Sequence, residues 1–342
     1  MKKYLIYLLL AYTSTACDNT FDVTDNWKEF TTVVALLERN DTTHYLRIGK
    51  AFLDKNTSAL TIAKIEDSLY YRNVQVVVNE VINNNVARSF VATPNTSVPK
   101  DTGIFAAPNQ VLYSFSAILN PDATYKLVVT PPSGNVVTGT TQIVDGTFMR
   151  RPLATTLLNW SNPTGSQIDF YSPKNGKIYE VSARVHYYDF RKSDGALLGK
   201  RFVTTKLTQT STYKNTEGYQ EYTLSVYGRQ LFQALHVQIV PDPAVGRTFV
   251  GVEFIFSSGD QNLSNYIEVN SPSSTVVQVK PTYSTLVNGL GIFASRYTYP
   301  NLSLEQSKAT YPQSSPTFRY SSIADGHIDS LVIKYPELNF TR

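Results

Sequence analysis

Residues 119–129 read Leu-Asn-Pro-Asp-Ala-Thr-Tyr-Lys-Leu-Val-Val. Pro121 marks a corner in the chain, and from Tyr125 to Val129 polar and apolar side chains take turns. Such alternation is typical of a strand in a sheet that has one face in water. The stretch therefore predicts a β-strand that begins after a proline-containing corner.

The composition of the whole chain also favours β structure. The chain has 23 Tyr and 17 Phe, only 17% charged residues, and 17 Gly with 17 Pro as punctuation between short alternating runs. Short strands that recur with turn residues between them are typical of a sandwich or a barrel. We therefore expect an all-β fold made of two β-sandwiches.

The stretch 119–129 resembles the start of a late strand in fibronectin type III and related immunoglobulin-like sandwiches. In those domains a leucine, a proline-containing corner and a tyrosine precede an alternating strand, and the tyrosine hydroxyl bonds to nearby backbone. The resemblance implies this role for Tyr125, and a fibronectin type III-like fold for the first sandwich. A proline-started strand in another β fold is the alternative interpretation.

The single cysteine of the chain, Cys17, follows an export signal. Two lysines give a positive start, residues 4–12 form an apolar run, and residues 13–16 are small. The run is shorter than the roughly 20 residues that span a membrane. The stretch resembles the signal and lipobox of bacterial lipoproteins, although Ser14 stands where leucine is preferred. The resemblance implies a membrane anchor of acyl chains such as palmitate on Cys17. An ordinary cleaved signal is the alternative.

Three further patches, at 45–53, 67–71 and 288–296, resemble uncharacterised surface lipoproteins of Bacteroidetes. Those proteins consist of a signal peptide, a lipid-bearing cysteine and β-sandwich domains. Acidic residues that follow Cys17 resemble a stretch associated with display on the outer leaflet. The resemblance therefore implies a lipid-anchored protein of the outer membrane, exposed at the cell surface.

Together these expectations divide the chain into six segments. The expected segments are a lipoprotein signal peptide at 1–16, a tether at 17–26, a first sandwich at 27–145, a linker at 146–152, a second sandwich at 153–298, and a C-terminal extension with one final strand at 299–342.

The charge of the chain excludes nucleic acid as a partner. Lys and Arg number 31 against 27 Asp and Glu, and removal of the two lysines of the signal leaves 29 against 27. The basic residues are scattered, so the sequence has no nucleic-acid-binding footprint. Lipidation of Cys17 would leave no thiol in the mature chain, whose stability must then come from its cores rather than from disulfides.

No catalytic or metal-binding motif is found in the sequence. The four histidines have no further ligand at zinc-site spacing, and neither HExxH nor G-x-S-x-G occurs. His186 lies in a predicted strand, which favours a hydrogen-bonded sheet histidine over a ligand. Ser258–Asn262 favours a polar hairpin turn over a calcium loop, because the closing Glu is missing. Gly289–Gly291 favours a tight turn over a dinucleotide loop. We predict no enzyme activity, no cofactor and no metal.

Aromatic side chains are the strongest candidates for ligand contact, because flat rings stack on sugar faces. Trp27 and Trp160 lie near the edges of the predicted domains, and Tyr187 and Tyr188 have polar neighbours. These four residues are predicted glycan contacts. The alternative is that tyrosine is simply a common strand residue.

Three short segments resemble the O-glycosylation motif of exported Bacteroidetes proteins. They begin at Asp67, Asp329 and Asp41, each followed by a hydroxyl-bearing residue. The resemblance implies glycan attachment at the following sites: Ser68 as the first choice, Ser330 and Thr42. The pattern is short, and chance occurrence is the alternative.

Only two segments favour a short helix, Leu60–Asp67 and Tyr227–Leu235. In the second, apolar side chains fall on one helical face. Elsewhere in the second half of the chain we predict strands, among them Ala234–Val240, Tyr266–Val269 and His327–Tyr335.

The sequence favours a non-catalytic envelope lipoprotein that binds a protein or glycan partner or serves envelope assembly. This function needs only the anchor and the β modules. Two other functions stay open: a pilus-type structural subunit that polymerises by strand addition, and an envelope hydrolase whose site no motif reveals.

Overall fold

The computed structural model of the chain has an all-β sandwich fold with a few short helices. It describes residues 28–53, 58–71, 73–100, 103, 105, 110–146, 149–151, 165–211, 217–271, 283–299, 320–321 and 331–341. The strands are β1 Lys28–Glu38, β2 Thr43–Leu53, β3 Gln75–Ile82, β4 Asn85–Asn95, β5 Leu112–Ser116, β6 Thr124–Thr130, β7 Val137–Gln142, β8 Met149–Arg151, β9 Ser166–Tyr171, β10 Ile178–Arg191, β11 Leu197–Ser211, β12 Glu221–Val226, β13 Val245–Gly259, β14 Leu286–Val287, β15 Leu290–Tyr299, β16 Tyr320–Ser321 and β17 Phe340–Thr341. The helices are α1 Ala59–Ile62, α2 Glu66–Leu69, α3 Gly228–Gln238 and α4 Gln261–Asn270, and a 3-10 turn spans Pro336–Leu338.

The first half of the described chain is a sandwich of two sheets. β1, β2 and β5 form one sheet, and β4, β3, β6 and β7 form the other. β4 belongs to both, because most of it pairs with β3 while Thr93–Asn95 pairs with β5. Strand alternation decides which side chains enter the core. On β1, for example, Val33, Ala35 and Leu37 are buried.

The corner predicted from the sequence is confirmed. The hydroxyl of Tyr125 accepts a hydrogen bond from the backbone N–H of Asn120 at 2.7 Å, and the tyrosine is fully buried. This bond holds the turn that precedes β6, and the alternation of β6 then directs Leu127 and Val129 into the same core. The role that the resemblance implied for Tyr125 is therefore present in the structure.

The corner is also connected to a buried carboxylate. Tyr125 donates its hydroxyl hydrogen to Glu80 Oε2 at 2.6 Å, and Arg88 Nε donates to Glu80 Oε1 at 3.0 Å. The hydrogen bond from Arg88 outweighs the effect of burial and lowers the pKa of Glu80. Burial and the bond to Glu80 raise the pKa of Tyr125. One carboxylate thus ties together β3, β4 and β6.

The second half of the chain surrounds a separate core. β11, β10 and β13 form a large antiparallel sheet, and β12, β9 and β8 form a small one. α3 contributes Leu231, Phe232 and Leu235 to this core. The helix predicted at Tyr227–Leu235 is confirmed, because these apolar side chains recur at the spacing of one helical face. The strand predicted at Ala234–Val240 is wrong, since its first residues continue the helix.

Two other strand predictions, Tyr266–Val269 and His327–Tyr335, are wrong where the structure describes them. Asp260 is the N-cap of α4, and its Oδ1 accepts from the backbone N–H of Leu263 at 2.9 Å. Ser258–Asn262 is therefore the end of β13 followed by the start of α4 rather than a hairpin turn. Tyr266–Val269 is helical despite its strand-forming residue types. In the strand predicted at His327–Tyr335, residues 331–334 are helical, and the part before them lies outside the described residues.

One strand joins the two halves into a continuous sheet. β15 lies between β13 and β1, antiparallel to the first and parallel to the second. β14 pairs with β7 of the first sandwich. Residues that the sequence assigned to the second sandwich, 153–298, thus complete sheets of the first. In the predicted linker at 146–152, β8 pairs with β9.

The turn before β15 and the first residues of that strand have unusual backbone angles. Asn288 has φ of 60°, and Gly291 has φ of 119°. A Cβ atom on Gly291 would lie 2.0 Å from the carbonyl oxygen of Val33 on β1. The turn predicted at Gly289–Gly291 is confirmed only at Gly289, because Leu290 and Gly291 already belong to β15. Glycine at position 291 is what allows β15 to approach β1 closely.

Candidate functional site

The exposed face of the β1–β2–β5 sheet carries an open groove of about 760 Å³, which we call the outer groove. Every second side chain of β1 and β2 points outward and forms the floor of this groove. Val34 of β1 lies opposite Arg47 of β2 in the strand pairing. The residues that line it are Val34, Leu36, Asp41, Thr42, Thr43, His44, Tyr45, Arg47, Leu112 and Arg296.

The floor of the outer groove is more apolar than a solvated sheet face requires. The side chains of Val34 and Tyr45 are 49% and 42% exposed, and Leu36 and Leu112 lie beside them. A sheet face in water normally carries polar side chains. Contiguous exposed apolar side chains with a polar rim indicate a contact surface.

Basic side chains stand around this floor. Arg47 lies close enough to Lys100 that its charge, after the larger effect of burial, lowers the pKa of Lys100. Arg296 Nε donates to Glu38 Oε2 at 3.0 Å, and Thr298 N donates to Glu38 Oε1 at 2.8 Å. Burial raises the pKa of Glu38, against the opposing charge of Arg296. The glutamate is thus part of the joint between β1 and β15.

His44 lies at the edge of the outer groove but serves the fold. Its Nε2 lies 3.0 Å from the carbonyl oxygen of Ala117, and its ring packs 4.9 Å from that of Phe115. Burial lowers the pKa of His44, which favours the neutral ring. The contacts with Ala117 and Phe115 therefore hold the ring in place, and its Nε2 is not free to bind a ligand in the groove.

A second concavity of about 490 Å³, which we call the junction cleft, lies where β6 and β7 meet the start of α4. The residues that line it are Thr124, Thr140, Thr141, Gln142, Asn175, Asp260, Gln261 and Asn262. Asp260 is buried at its base, where Thr141 Oγ1 donates to Oδ2 and the N–H of Leu263 donates to Oδ1. Burial raises the pKa of Asp260 to about 6, although these hydrogen bonds oppose the shift.

Replacing Asp260 by Asn is expected to remove a pH dependence of stability. The pKa of this carboxyl group rises from 3.8 to about 6 on folding, so the folded chain holds the proton more tightly. Its stabilising contribution is complete below about pH 4 and is lost as the pH rises through about 6. Urea denaturation should show that the wild type loses about 2.4 kcal/mol relative to Asp260→Asn between about pH 4 and pH 7.

The control for this prediction is Asp122, an exposed carboxylate whose pKa is lowered by the hydrogen bond from Lys174. Wild type compared with Asp122→Asn should gain stability as the pH rises to about 4, and should change little between about pH 5 and pH 7. A difference between wild type and Asp260→Asn that does not change with pH would contradict the assignment.

His186 is a hydrogen-bonded sheet histidine, as predicted. Its Nε2 lies 3.1 Å from Glu253 Oε2 across the β10–β13 pair, and both side chains are buried. Arg184 NH1 lies 3.7 Å from the same oxygen, and Arg184 Nε donates to Thr204 Oγ1 at 3.2 Å. Arg184, His186 and Glu253 form one buried cluster that links β10, β11 and β13.

The predicted aromatic pair is divided between two faces of a sheet. Tyr187 is buried in the second core and its ring packs 5.6 Å from that of Phe340. Tyr188 is half-buried on the opposite face, because neighbouring residues of a strand point to opposite sides. Tyr187 therefore has no exposed ring for a glycan, because it is buried. Tyr188 stays a predicted contact.

The other predicted site residues are placed as follows. Thr42 is exposed at the rim of the outer groove, and Ser68 is half-buried in α2. The remaining ones, Cys17, Trp27, Trp160 and Ser330, lie outside the described residues. Within the described ranges, His, Cys, Asp and Glu form no group of three that could hold a metal ion. Those same ranges contain no helix with the length and apolar character needed to cross a membrane.

The sequence predicts neither concavity. The outward direction of Tyr45 depends on the register of β2 against β1, which residue types alone do not reveal. Asp260 stood in a segment that was interpreted as a turn. An alternating apolar outward set on β1, Phe30, Val34 and Leu36, was the one signal in the sequence for an apolar outer face.

No known protein family and no curated protein matches the chain. Among solved structures it is similar to the secreted serine protease VesC from Vibrio cholerae, with 13% identity and a TM-score of 0.18, over 58% of this chain and 47% of that one. It is also similar to trypsin-activated alpha-2-macroglobulin from Escherichia coli, with 12% identity and a TM-score of 0.19, over 68% of this chain and 14% of that one. The chain spans less than half the length of either, and TM-scores this low do not establish a shared fold.

Proposed function

We propose that the protein is a non-catalytic lipoprotein of the cell envelope that binds a protein partner through the outer groove. The observation that supports this proposal most is the exposed set of Val34, Tyr45 and Arg47 on one face of the sheet. Tyrosine and arginine are enriched where protein interfaces carry most of their binding energy. Binding of a partner would remove the apolar side chains of the groove floor from water, which favours association.

The charge of the groove indicates the chemistry of this partner. Arg47 and Arg296 line the groove and Lys100 lies near Arg47, while Asp41 is the one acidic side chain among the described lining residues. Complementary charge steers association and disfavours wrong partners. We therefore propose an acidic segment with apolar side chains as the part of the partner that enters the groove.

The proposed location is supported by the N-terminal sequence. A positive start, an apolar run and small residues lead to Cys17, in the order of a lipoprotein signal. Two or more acyl chains give a stable membrane anchor, whereas one is marginal. In this proposal the lipid anchor holds the two sandwiches at the outer membrane, exposed at the cell surface. The outer groove is then open to other envelope proteins.

The test is site-specific photo-crosslinking in intact cells, with a photoreactive residue at Thr43 in the lining of the outer groove. We expect one discrete adduct with an envelope protein. Tyr45→Ala should reduce its yield at least about tenfold, as loss of a central interface tyrosine does. Cys17→Ser should release the chain from the membrane fraction.

The matched control is Tyr219→Asn, which removes another exposed tyrosine at a position whose φ of 58° suits asparagine. Its adduct yield should equal that of the wild type. An adduct that Tyr45→Ala leaves unchanged, or no adduct at all, would rule out the outer groove as the binding surface.

A further inference from the structure

Among the described residues, those that line the junction cleft carry hydroxyl, amide or carboxyl side chains. Three threonines, two glutamines, two asparagines and one aspartate form its walls. They come from separate parts of the chain: β6 and β7 form one wall, the turn before β10 supplies Asn175, and the first turn of α4 forms the other wall. Its volume of about 490 Å³ falls within the range of small-molecule sites, about 300–1,000 Å³.

Hydrogen bonds across the cleft hold these walls in place. The side-chain amide of Asn262 donates to the carbonyl oxygens of Thr140 at 2.7 Å and of Phe293 at 3.1 Å. Asn175 donates to the carbonyl oxygen of Ile143 at 3.0 Å. The cleft is therefore formed before any ligand arrives, which lowers the entropic cost of binding.

Other polar groups of the lining are left for a ligand. Within the described part of the chain, the side chains of Thr124, Thr140 and Gln142 make no hydrogen bond, and they stand next to one another on β6 and β7. The amide donors of Asn262 are both used, so its carbonyl oxygen remains as an acceptor. Both walls of the cleft thus offer unpaired polar groups to a ligand: the three side chains on β6 and β7, and the carbonyl oxygen of Asn262 on α4.

The composition of the lining excludes several ligand classes. The described lining residues include no basic side chain, so they offer an anion no counter-charge. Asp260 is the one carboxylate among them, and both its oxygens already accept hydrogen bonds, so it leaves a cation no free carboxylate. Among these same residues none is aromatic or aliphatic, so apart from threonine methyl groups an apolar ligand would gain little.

We propose that the junction cleft binds a neutral saccharide. Vicinal hydroxyl groups of a sugar each donate and accept, which matches the amide of Gln142 and the hydroxyls of Thr124 and Thr140. The threonine methyl groups lie against sugar C–H groups. This site is separate from the outer groove, and it uses none of the residues of that groove.

The test is isothermal titration and ligand-observed NMR of the full chain against glucose, galactose, N-acetylglucosamine and their disaccharides, with glucuronate and glucosamine as charged counterparts. We expect at least one neutral sugar to bind with a Kd below about 1 mM, and its charged counterparts to bind more weakly. Thr140→Val and Gln142→Ala should each weaken binding about tenfold, because both remove hydrogen bonds to the ligand.

The control is Thr138→Val, which makes the same change two residues earlier on the same face of β7, outside the cleft lining. It should bind as the wild type does. All three positions are exposed or half-buried, and unchanged thermal unfolding would confirm that the variants fold. No neutral sugar binding, or binding that Thr140→Val and Gln142→Ala leave unchanged, overturns the proposal. Tyr45→Ala should bind the sugar normally, which separates this result from that for the outer groove.

Discussion

Replacing Gly291 by Ala is expected to lower the free energy of unfolding by about 4 kcal/mol, a loss that only a change displacing backbone or core reaches. Gly291 has φ of 119°, which L side chains rarely adopt, and its added Cβ would lie 2.0 Å from the carbonyl oxygen of Val33. β15 would have to move away from β1, and the parallel hydrogen bonds that begin there would be lost. Chemical denaturation of the full chain measures this loss.

The control is Gly199→Ala at the start of β11. Gly199 has φ of 145°, but an added Cβ would meet no atom within 4 Å. It therefore reports the backbone cost without the clash, and we expect about 2 kcal/mol. Equal losses at Gly291 and Gly199 would show that the close approach of β15 to β1 contributes nothing.

Replacing Tyr125 by Phe is expected to lower the free energy of unfolding by about 2 kcal/mol. The change keeps the ring in the core but removes the hydroxyl that accepts from Asn120 N and donates to Glu80 Oε2. A buried hydrogen bond to a charged group contributes more than a neutral one, and the carboxylate of Glu80 would lose one of its partners. Urea denaturation gives the value.

Tyr113→Phe is the matched control for this change. Tyr113 is as deeply buried in the same core, and within the described residues its hydroxyl makes no hydrogen bond. Loss of the Tyr113 hydroxyl should change the free energy of unfolding by less than about 0.5 kcal/mol. If Tyr125→Phe were no more destabilising than Tyr113→Phe, the corner would not depend on the hydroxyl.

The corner could be predicted from the sequence because every part of it is local. Asn120, Pro121 and Tyr125 lie within six positions, and the alternation of β6 follows directly. The same local reasoning found α3, whose apolar side chains recur at helical spacing. It failed at α4, where the strand-forming types of Tyr266–Val269 are overruled by the cap that Asp260 provides at the helix start.

The candidate sites could not be predicted, because distant pairing creates them. Glu38 and Arg296, which form an ion pair beside the outer groove, are 258 positions apart in the sequence. Thr141 and Asp260, at the base of the junction cleft, are 119 apart. Alternation shows which strand side chains share a face, but it does not show which strands lie next to one another.

The late strand β15 has a consequence for how the protein is made. Synthesis proceeds from the N-terminus, yet the edge of β1 receives its parallel neighbour only when residues 290–299 have been added. Until then that edge presents unpaired backbone groups, which invite pairing with other chains. Biogenesis therefore has to keep the nascent polypeptide apart from its copies until β15 has been made. Shortened versions that end before Leu290 should aggregate.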